Sequence, residues 1–245
     1  MRYLVLSDIH ANLEALEAVL KEAGGFDRAL VLGDVIGYGA DPNAVVDRLR
    51  GMPDVVFIRG NHDKVATGLE SVTGFNHLAR HAVQWTASAL TADNRAWVAA
   101  LGRGPLEIDD LVEISHGSPF DEDTYIFDEL DVRHAFTAAK RPLSLFGHTH
   151  VPAAFCLAGS KVQSVGPPRG TRFNLPLEPE SQYLVNCGAV GQPRDGDPRA
   201  AYGIVDTETR VLAVLRVEYD VALTQAKILA AGLPEVLAHR LAIGR

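Results

Sequence analysis

Five short apolar runs dominate the first 150 residues: Tyr3–Leu6, Ala29–Leu32, Val55–Ile58, Leu111–Ile114 and Leu143–Phe146. Each stops abruptly at polar residues. Continuous apolar character over so few residues marks strands buried on both faces. Between the first two runs, Leu13, Leu16 and Leu20 recur at helical spacing. Asn12 stands where an N-cap belongs, and Gly24-Gly25 follows as a stop. One β-α-β unit results. A second helix is expected from Phe75 to about Ala89, with Phe75, Leu78, Ala82 and Trp85 as its apolar stripe.

After residue 150 the texture changes. Ala153–Leu157, Gln182–Asn186, Ala201–Val205 and Val211–Val217 read as strands, and no long helix separates the later ones, so antiparallel pairing is expected. Two short helices should close the chain, at about 220–231 and 234–242, with Leu233, Leu237 and Leu241 as a stripe. That stripe can pack on the core or pair with a second copy, so a homo-oligomer stays open. Gly166–Gly170 is turn-rich but too short to separate domains. The expectation is one domain over residues 1–245, α/β in class, with two β-sheets inside helical layers and a helical tail. Residues 117–140 and 166–181 read as loop or cap material.

Hydrophobic residues make up 47% and charged residues 22%, which supplies a sizeable core and excludes a disordered chain. The net charge of −8 argues against generic binding to nucleic acid or to an anionic membrane. The chain opens directly on an apolar strand without a signal-like segment, and no window approaches the roughly 18 apolar residues of a membrane span. Cys156 and Cys187 cannot make a disulfide framework. A cytoplasmic protein is expected.

The five runs end in Asp8-Ile9-His10, Gly33-Asp34, Gly60-Asn61-His62-Asp63, His116-Gly117 and Gly147-His148-Thr149-His150. Ligands of open α/β sheets gather at the carboxyl ends of strands, so five adjacent ends would bring these groups together. Residues i and i+2 of an extended segment point to one side, which would aim Asp8 with His10, and His148 with His150, at one cavity. Mixed imidazole, carboxylate and amide donors suit a borderline divalent ion such as Mn, Fe, Zn or Co better than Ca or Mg. A lone carboxylate such as Asp34 can bridge two ions. Two ions roughly 3.5–4 Å apart activate a water between them and neutralise a phosphoryl group.

The ordered set Asp-x-His, Gly-Asp, Gly-Asn-His-Asp, His-Gly and Gly-His-Thr-His strongly resembles the calcineurin-like metallophosphoesterase superfamily, from residue 3 to about 205. Ser7–Leu16, Gly33–Pro42 and Asn186–Pro198 look like its small single-domain prokaryotic phosphoesterases. The resemblance implies a four-layer α/β/β/α sandwich of two mixed sheets flanked by helices. It also implies two divalent ions, with manganese expected and Fe, Zn, Ni or Co as alternatives. Carried onto matching positions, Asp8, His10, Asp34 and His150 would hold one metal. Asp34, Asn61, His116 and His148 would hold the other. His62 would face the substrate and protonate the leaving oxygen, with Asp63 orienting a histidine of the site.

Two departures bear on substrate. Phosphoprotein phosphatases of the superfamily carry an Arg in the loop after the bridging Asp, whereas this loop reads Gly33-Asp34-Val35-Ile36-Gly37-Tyr38-Gly39. Their Gly-Asn-His-Glu ends here in Asp63. Both changes weaken a protein-phosphatase reading, and the missing Arg removes a grip suited to a dianionic monoester, which favours a phosphodiesterase acting on a small phosphoester, a nucleotide included, over a phosphomonoesterase such as a protein or nucleotide phosphatase. A non-catalytic scaffold is the third reading. Asn12 and Arg194 are candidate substrate contacts, with helix capping the alternative for Asn12. Arg59 can equally pair with a carboxylate. His77 and His81, at i and i+4, read as a solvated face, and Cys187 as a buried thiol.

Overall fold

The strands that carry the polar ends are short because each must turn into the site as soon as it crosses the core. The computed structural model describes residues 1–166 and 170–245, so Pro167, Pro168 and Arg169 of the turn-rich run lie outside the described residues. In chain order the elements begin with β1 (Arg2–Leu6), α1 (Leu13–Glu22), β2 (Arg28–Val31), α2 (Pro42–Arg50), β3 (Val55–Phe57) and α3 (Asn61–Thr67). They continue with α4 (His77–Ala89), α5 (Ala92–Ala99), β4 (Leu106–Glu107), β5 (Val112–Ile114), α6 (Glu129–Ala138), β6 (Leu143–Phe146) and β7 (Ala153–Ala158). The last are β8 (Lys161–Ser164), β9 (Arg172–Pro176), β10 (Ser181–Asn186), β11 (Ala200–Asp206), β12 (Val211–Val217), α7 (Val221–Ala230) and α8 (Glu235–His239).

The strands form two six-stranded sheets, ordered β3-β2-β1-β11-β12-β9 and β4-β5-β6-β10-β7-β8. Each is mixed. In the first, β3, β2 and β1 run parallel and β11 meets β1 antiparallel, with Leu4 opposite Ile204. In the second, β5, β6 and β10 run parallel and β7 returns antiparallel beside β10. Tyr3, Val5, Leu30 and Leu32 of the first sheet meet Val112, Ile114, Leu145 and Val185 of the second in a buried layer between them. The opposite face of the first sheet, through Leu4, Leu6 and Val31, packs on Leu16 and Val19 of α1 and Val45, Val46 and Leu49 of α2. On the far side Val132, Ala135 and Phe136 of α6 cover Phe146 and Leu184. Alternate residues of one strand thus serve two cores, which is why these runs have no polar face.

Several expectations need correction. The five strand ends do not lie side by side in one sheet: β1, β2 and β3 belong to the first, β5 and β6 to the second. Consecutive β10 and β11 are not partners but cross between sheets, and among the four strands expected after residue 150 the antiparallel pairs are β7 with β10 and β11 with β12. Residues 117–140 contain α6, and 166–181 contain β9. The expected helix from Phe75 starts at His77, capped by Asn76 accepting from the Ala79 amide. In the tail, Leu233, Leu237 and Leu241 are buried with Ile228 against Tyr38, Ala79 and Ala82, so the stripe is used within this chain. Among the described residues no helix is long and apolar enough to cross a membrane.

Candidate metal centre

The polar ends of β1, β2, β3, β5 and β6 meet at one end of the two packed sheets. Backbone hydrogen bonds stitch the ends together. The Asp8 amide donates to Gly33 O at 3.2 Å, the His10 amide to Asp34 O at 2.9 Å, and the Gly147 amide to His116 O at 2.8 Å. The extended-backbone pairing expected of Asp8 with His10 and of His148 with His150 does not hold. Asp8, His10, Asp34, His148 and His150 all have positive φ, between 49° and 65°. Left-handed L-residues cost about 1–2 kcal/mol each, and such strain gathers at functional sites. The tight turns send Asp8 and His10 to one group and separate His148 from His150.

Two donor groups result. One ligand atom each from Asp8, His10, Asp34 and His150 lies within 4.8 Å of the others, and the same holds for Asp34, His116 and His148. Asp34 belongs to both. Asn61 joins the second group, its Oδ1 3.2 Å from His116 Nε2. All these side chains but Asn61 are buried. The imidazoles are oriented from behind, with Nδ1 of His10, His116 and His150 against the carbonyls of Ile36, Leu32 and Gln192 at 3.1, 2.8 and 2.7 Å. Carbonyls only accept, so each Nδ1 holds its proton and each Nε2 of a neutral ring presents a lone pair.

That arrangement asks for a cation. His10 Nε2 and His150 Nε2 face each other at 3.1 Å. Asp34 Oδ2 lies 3.5 Å from both His10 Nε2 and His116 Nε2. His148 Nε2 is buried with no hydrogen-bond partner. Opposed lone pairs and an orphaned buried acceptor are unfavourable alone and become ligands around a metal. The donor set therefore fits divalent ions.

The charges agree. Burial pushes His10 and His150 well below the usual imidazole range and His148 down to about 3, which keeps all three neutral for ligation. Burial raises Asp8 to about 6. Burial would also raise Asp34, but His116, His62 and His10 outweigh it and hold its carboxyl well below the ordinary value. Burial would lower His116, yet Asp34 lifts it to about 10, so a proton competes with a metal there.

His62 lies in the first turn of α3 beside this centre, its ring 4.9 Å from that of His10 and 4.4 Å from Tyr38. Its Nδ1 is buried without a partner. Two glycines make the approach feasible. A Cβ at Gly37, where φ is +94°, would lie 2.5 Å from His62 Nδ1, and one at Gly60 would lie 2.2 Å from Asp34 Oδ1. Asp63 does not orient an imidazole as expected. Its carboxylate accepts from the amides of Gly60, Ile36 and Val35 at 2.9, 3.2 and 3.3 Å, and so fixes the turn after Asp34.

The remaining candidates divide. Arg194 lies over the Tyr38 ring, 5.6 Å from its centroid, with Nη2 on Gln192 and Nε buried without a partner. Asn12 is buried, its Oδ1 capping α1 at the Ala15 amide and its Nδ2 donating to Gly191 O, as the capping alternative expected. Arg59 makes a two-pronged pair with Glu122. His77 and His81 line an open surface hollow with Arg80 and Trp85. Cys187 is a buried thiol, and burial drives it up to about 12. Sequence reasoning missed Tyr38 and Tyr125. The Gly-Tyr-Gly run signalled the first, whereas nothing local marked Tyr125, whose ring covers His148 at 3.7 Å.

Two facing mixed sheets, with a buried aspartate shared by two donor groups at the strand ends, form a fold with a candidate centre for divalent metal. Residues 1–210 match the model of the calcineurin-like phosphoesterase superfamily domain, and the chain belongs to that superfamily. It is 35% identical to an uncharacterized protein of Methanocaldococcus jannaschii, over 98% of this chain and 97% of that one. The crystal structure of a metallophosphoesterase from Sphaerobacter thermophilus is similar at 40% identity and a TM-score of 0.86, covering 100% of this chain and 99% of that one. A hypothetical protein from Pyrococcus horikoshii shares the fold at 20% identity and a TM-score of 0.78, over 100% and 98% of the two chains.

Proposed function

We propose that this protein is a dinuclear metal-dependent phosphodiesterase that hydrolyses a P–O bond without a covalent enzyme intermediate. The observation that carries this reading is the sharing of Asp34 by two buried donor groups. Asp8, His10, Asp34 and His150 would hold one ion, and Asp34, Asn61, His116 and His148 the other, with manganese the preferred metal. Bound there, the ions supply an activated water and neutralise charge on the phosphoryl group. The chain's own groups do the rest. His62, whose ring lines the cleft beside the second donor group, meets the phosphoryl or leaving oxygen. Asp63 keeps the turn after Asp34 in place. Arg194, steadied on Tyr38, reaches a non-bridging phosphate oxygen.

That guanidinium also favours a second reading, a phosphomonoesterase, because Arg194 stands in for the Arg that the loop after Asp34 lacks. Hydrolysis of bis-p-nitrophenyl phosphate against p-nitrophenyl phosphate separates the two. Metal-stripped protein would be tested with added Mn, Ni, Co, Zn or Mg. Metal-dependent cleavage favouring the diester, and reduced at least about 100-fold in Asp34→Asn, is the expected result. A monoester preference would promote the second reading. Stoichiometric absence of bound metal with no cleavage of either ester would refute both.

A further inference from the structure

Lys64 is only 5% exposed, which is rare for an ammonium unless it is paired. Its Nζ lies 2.5 Å from Asp123 Oδ2, 2.8 Å from Glu70 Oε2 and 3.3 Å from Glu122 Oε1. Glu122, itself 7% exposed, also accepts from Arg59, through Nη2 at 2.9 Å and Nε at 3.1 Å. Burial disfavours the ammonium, yet the three carboxylates outweigh it and hold Lys64 charged. None of these five side chains belongs to either donor group.

Their placement is uneven with respect to the two groups. Arg59 and Lys64 flank Asn61 in the chain, two residues before it and three after, and both reach Glu122. The segment that carries Glu122 and Asp123 follows directly on the donor His116. It folds tightly, with the Gly117 amide donating to Glu122 O at 3.0 Å, and a Cβ on Gly117 would lie 2.8 Å from that oxygen. It then reaches Tyr125, whose ring stacks on the donor His148 at 3.7 Å. The network thus ties the helix that opens on Asn61 to the segment that leaves His116 and covers His148. Among the described residues no hydrogen bond or ion pair runs from these five side chains to Asp8, His10 or His150. Asn61 is also the one donor that is not buried. An amide oxygen holds a cation only by its dipole, so Asn61 contributes only where its position is fixed from behind.

We propose that Lys64 and Glu122 are positioning residues for the second donor group: an ion at Asn61, His116 and His148 depends on them, and an ion at Asp8, His10 and His150 does not. This rests on the dinuclear reading. The test is manganese titration of the metal-stripped protein by calorimetry, with EPR to distinguish a spin-coupled pair from an isolated ion. Wild type should take up two ions and show the coupled pair. Lys64→Met and Glu122→Gln should each weaken one ion by about 10–100-fold, the usual cost of losing an outer-shell partner, and leave the other unchanged. At manganese that fills both wild-type sites, the spectrum of an isolated ion should replace that of the pair. Glu122→Gln is the milder change and decides the matter where Lys64→Met does not fold. Adding His150→Ala to it should abolish the remaining tight ion, which assigns that ion to the first group. Leu49→Ala, a buried apolar deletion on α2, should lower thermal stability and keep both ions. Equal weakening of both ions, weakening of neither, or loss of the second ion in Leu49→Ala as well would overturn the inference and leave the dinuclear reading standing. A wild type that takes up fewer than two ions would overturn that reading and the inference with it.

Discussion

Replacing Asp63 by alanine tests how the turn after Asp34 is held. The carboxylate is 1% exposed and accepts from three backbone amides, those of Gly60, Ile36 and Val35. Alanine leaves all three donors buried without a partner. An orphaned buried donor costs about 1–3 kcal/mol, and two of these bonds are long, so the low end applies and the sum is about 3 kcal/mol. In a chain of this size that lowers the melting temperature by roughly 6–12 °C. Urea denaturation, with the slope unchanged, would measure it. Asp63→Asn retains one acceptor oxygen and should fall between wild type and alanine. The turn also sets the Asp34 backbone at φ 50°, so manganese affinity should drop in parallel with stability. An Asp63→Ala protein within about 1 kcal/mol of wild type would refute this account and return Asp63 to a role on an imidazole.

Other perturbations probe separate features. Gly37→Ala places a methyl 2.5 Å from His62 Nδ1 at a φ of +94°, and should depress hydrolysis at least about tenfold while metal stoichiometry is kept. Leu237→Ala empties a fully buried site in the tail and should cost about 2–4 kcal/mol in a urea titration. For Glu122, burial would raise the carboxyl, but Arg59 and Lys64 outweigh it and hold it below its ordinary value of 4.5. A depressed folded pKa gives stability that is present above the unfolded value and lost as pH falls through the folded one. Wild type should therefore weaken below about pH 4.5, whereas Glu122→Gln should be less stable at pH 7 and show a flatter acid limb.

The chemistry of the site was legible in the sequence because it is local. Donors lie within a few residues of strand ends, and their type and order survive any uncertainty in the fold. Sheet membership was not legible, since nothing within β5 or β6 states that they join the sheet of β10 rather than that of β3. The short helix α3 lay hidden for a different reason: it opens on Asn61 itself and ends at Thr67, too brief for a helical period. Strands β8 and β9 are mostly exposed and lack the apolar run that marked the others. The partners of Asp63 and Tyr125 depend on contacts between distant segments, His148 and Tyr125 among them. The i, i+2 reasoning grouped Asp8 with His10 correctly but assumed a backbone that the turns do not have.

Those turns have a consequence for descent. Five donors sit where an L-residue is disfavoured, and glycine at each would relieve about 1 kcal/mol of strain. Opposing that replacement are the ligand role and the buried hydrogen bonds these side chains make, such as those Asp8 and Asp34 accept from the His148 and His62 amides. A lineage in which no ligand was needed there would therefore lose one of the two pressures that keep glycine and asparagine out of Asp8, His10, Asp34, His148 and His150. Erosion of these five positions, more than any change in the cores, would be the mark of a descendant that kept the fold and gave up the donor groups.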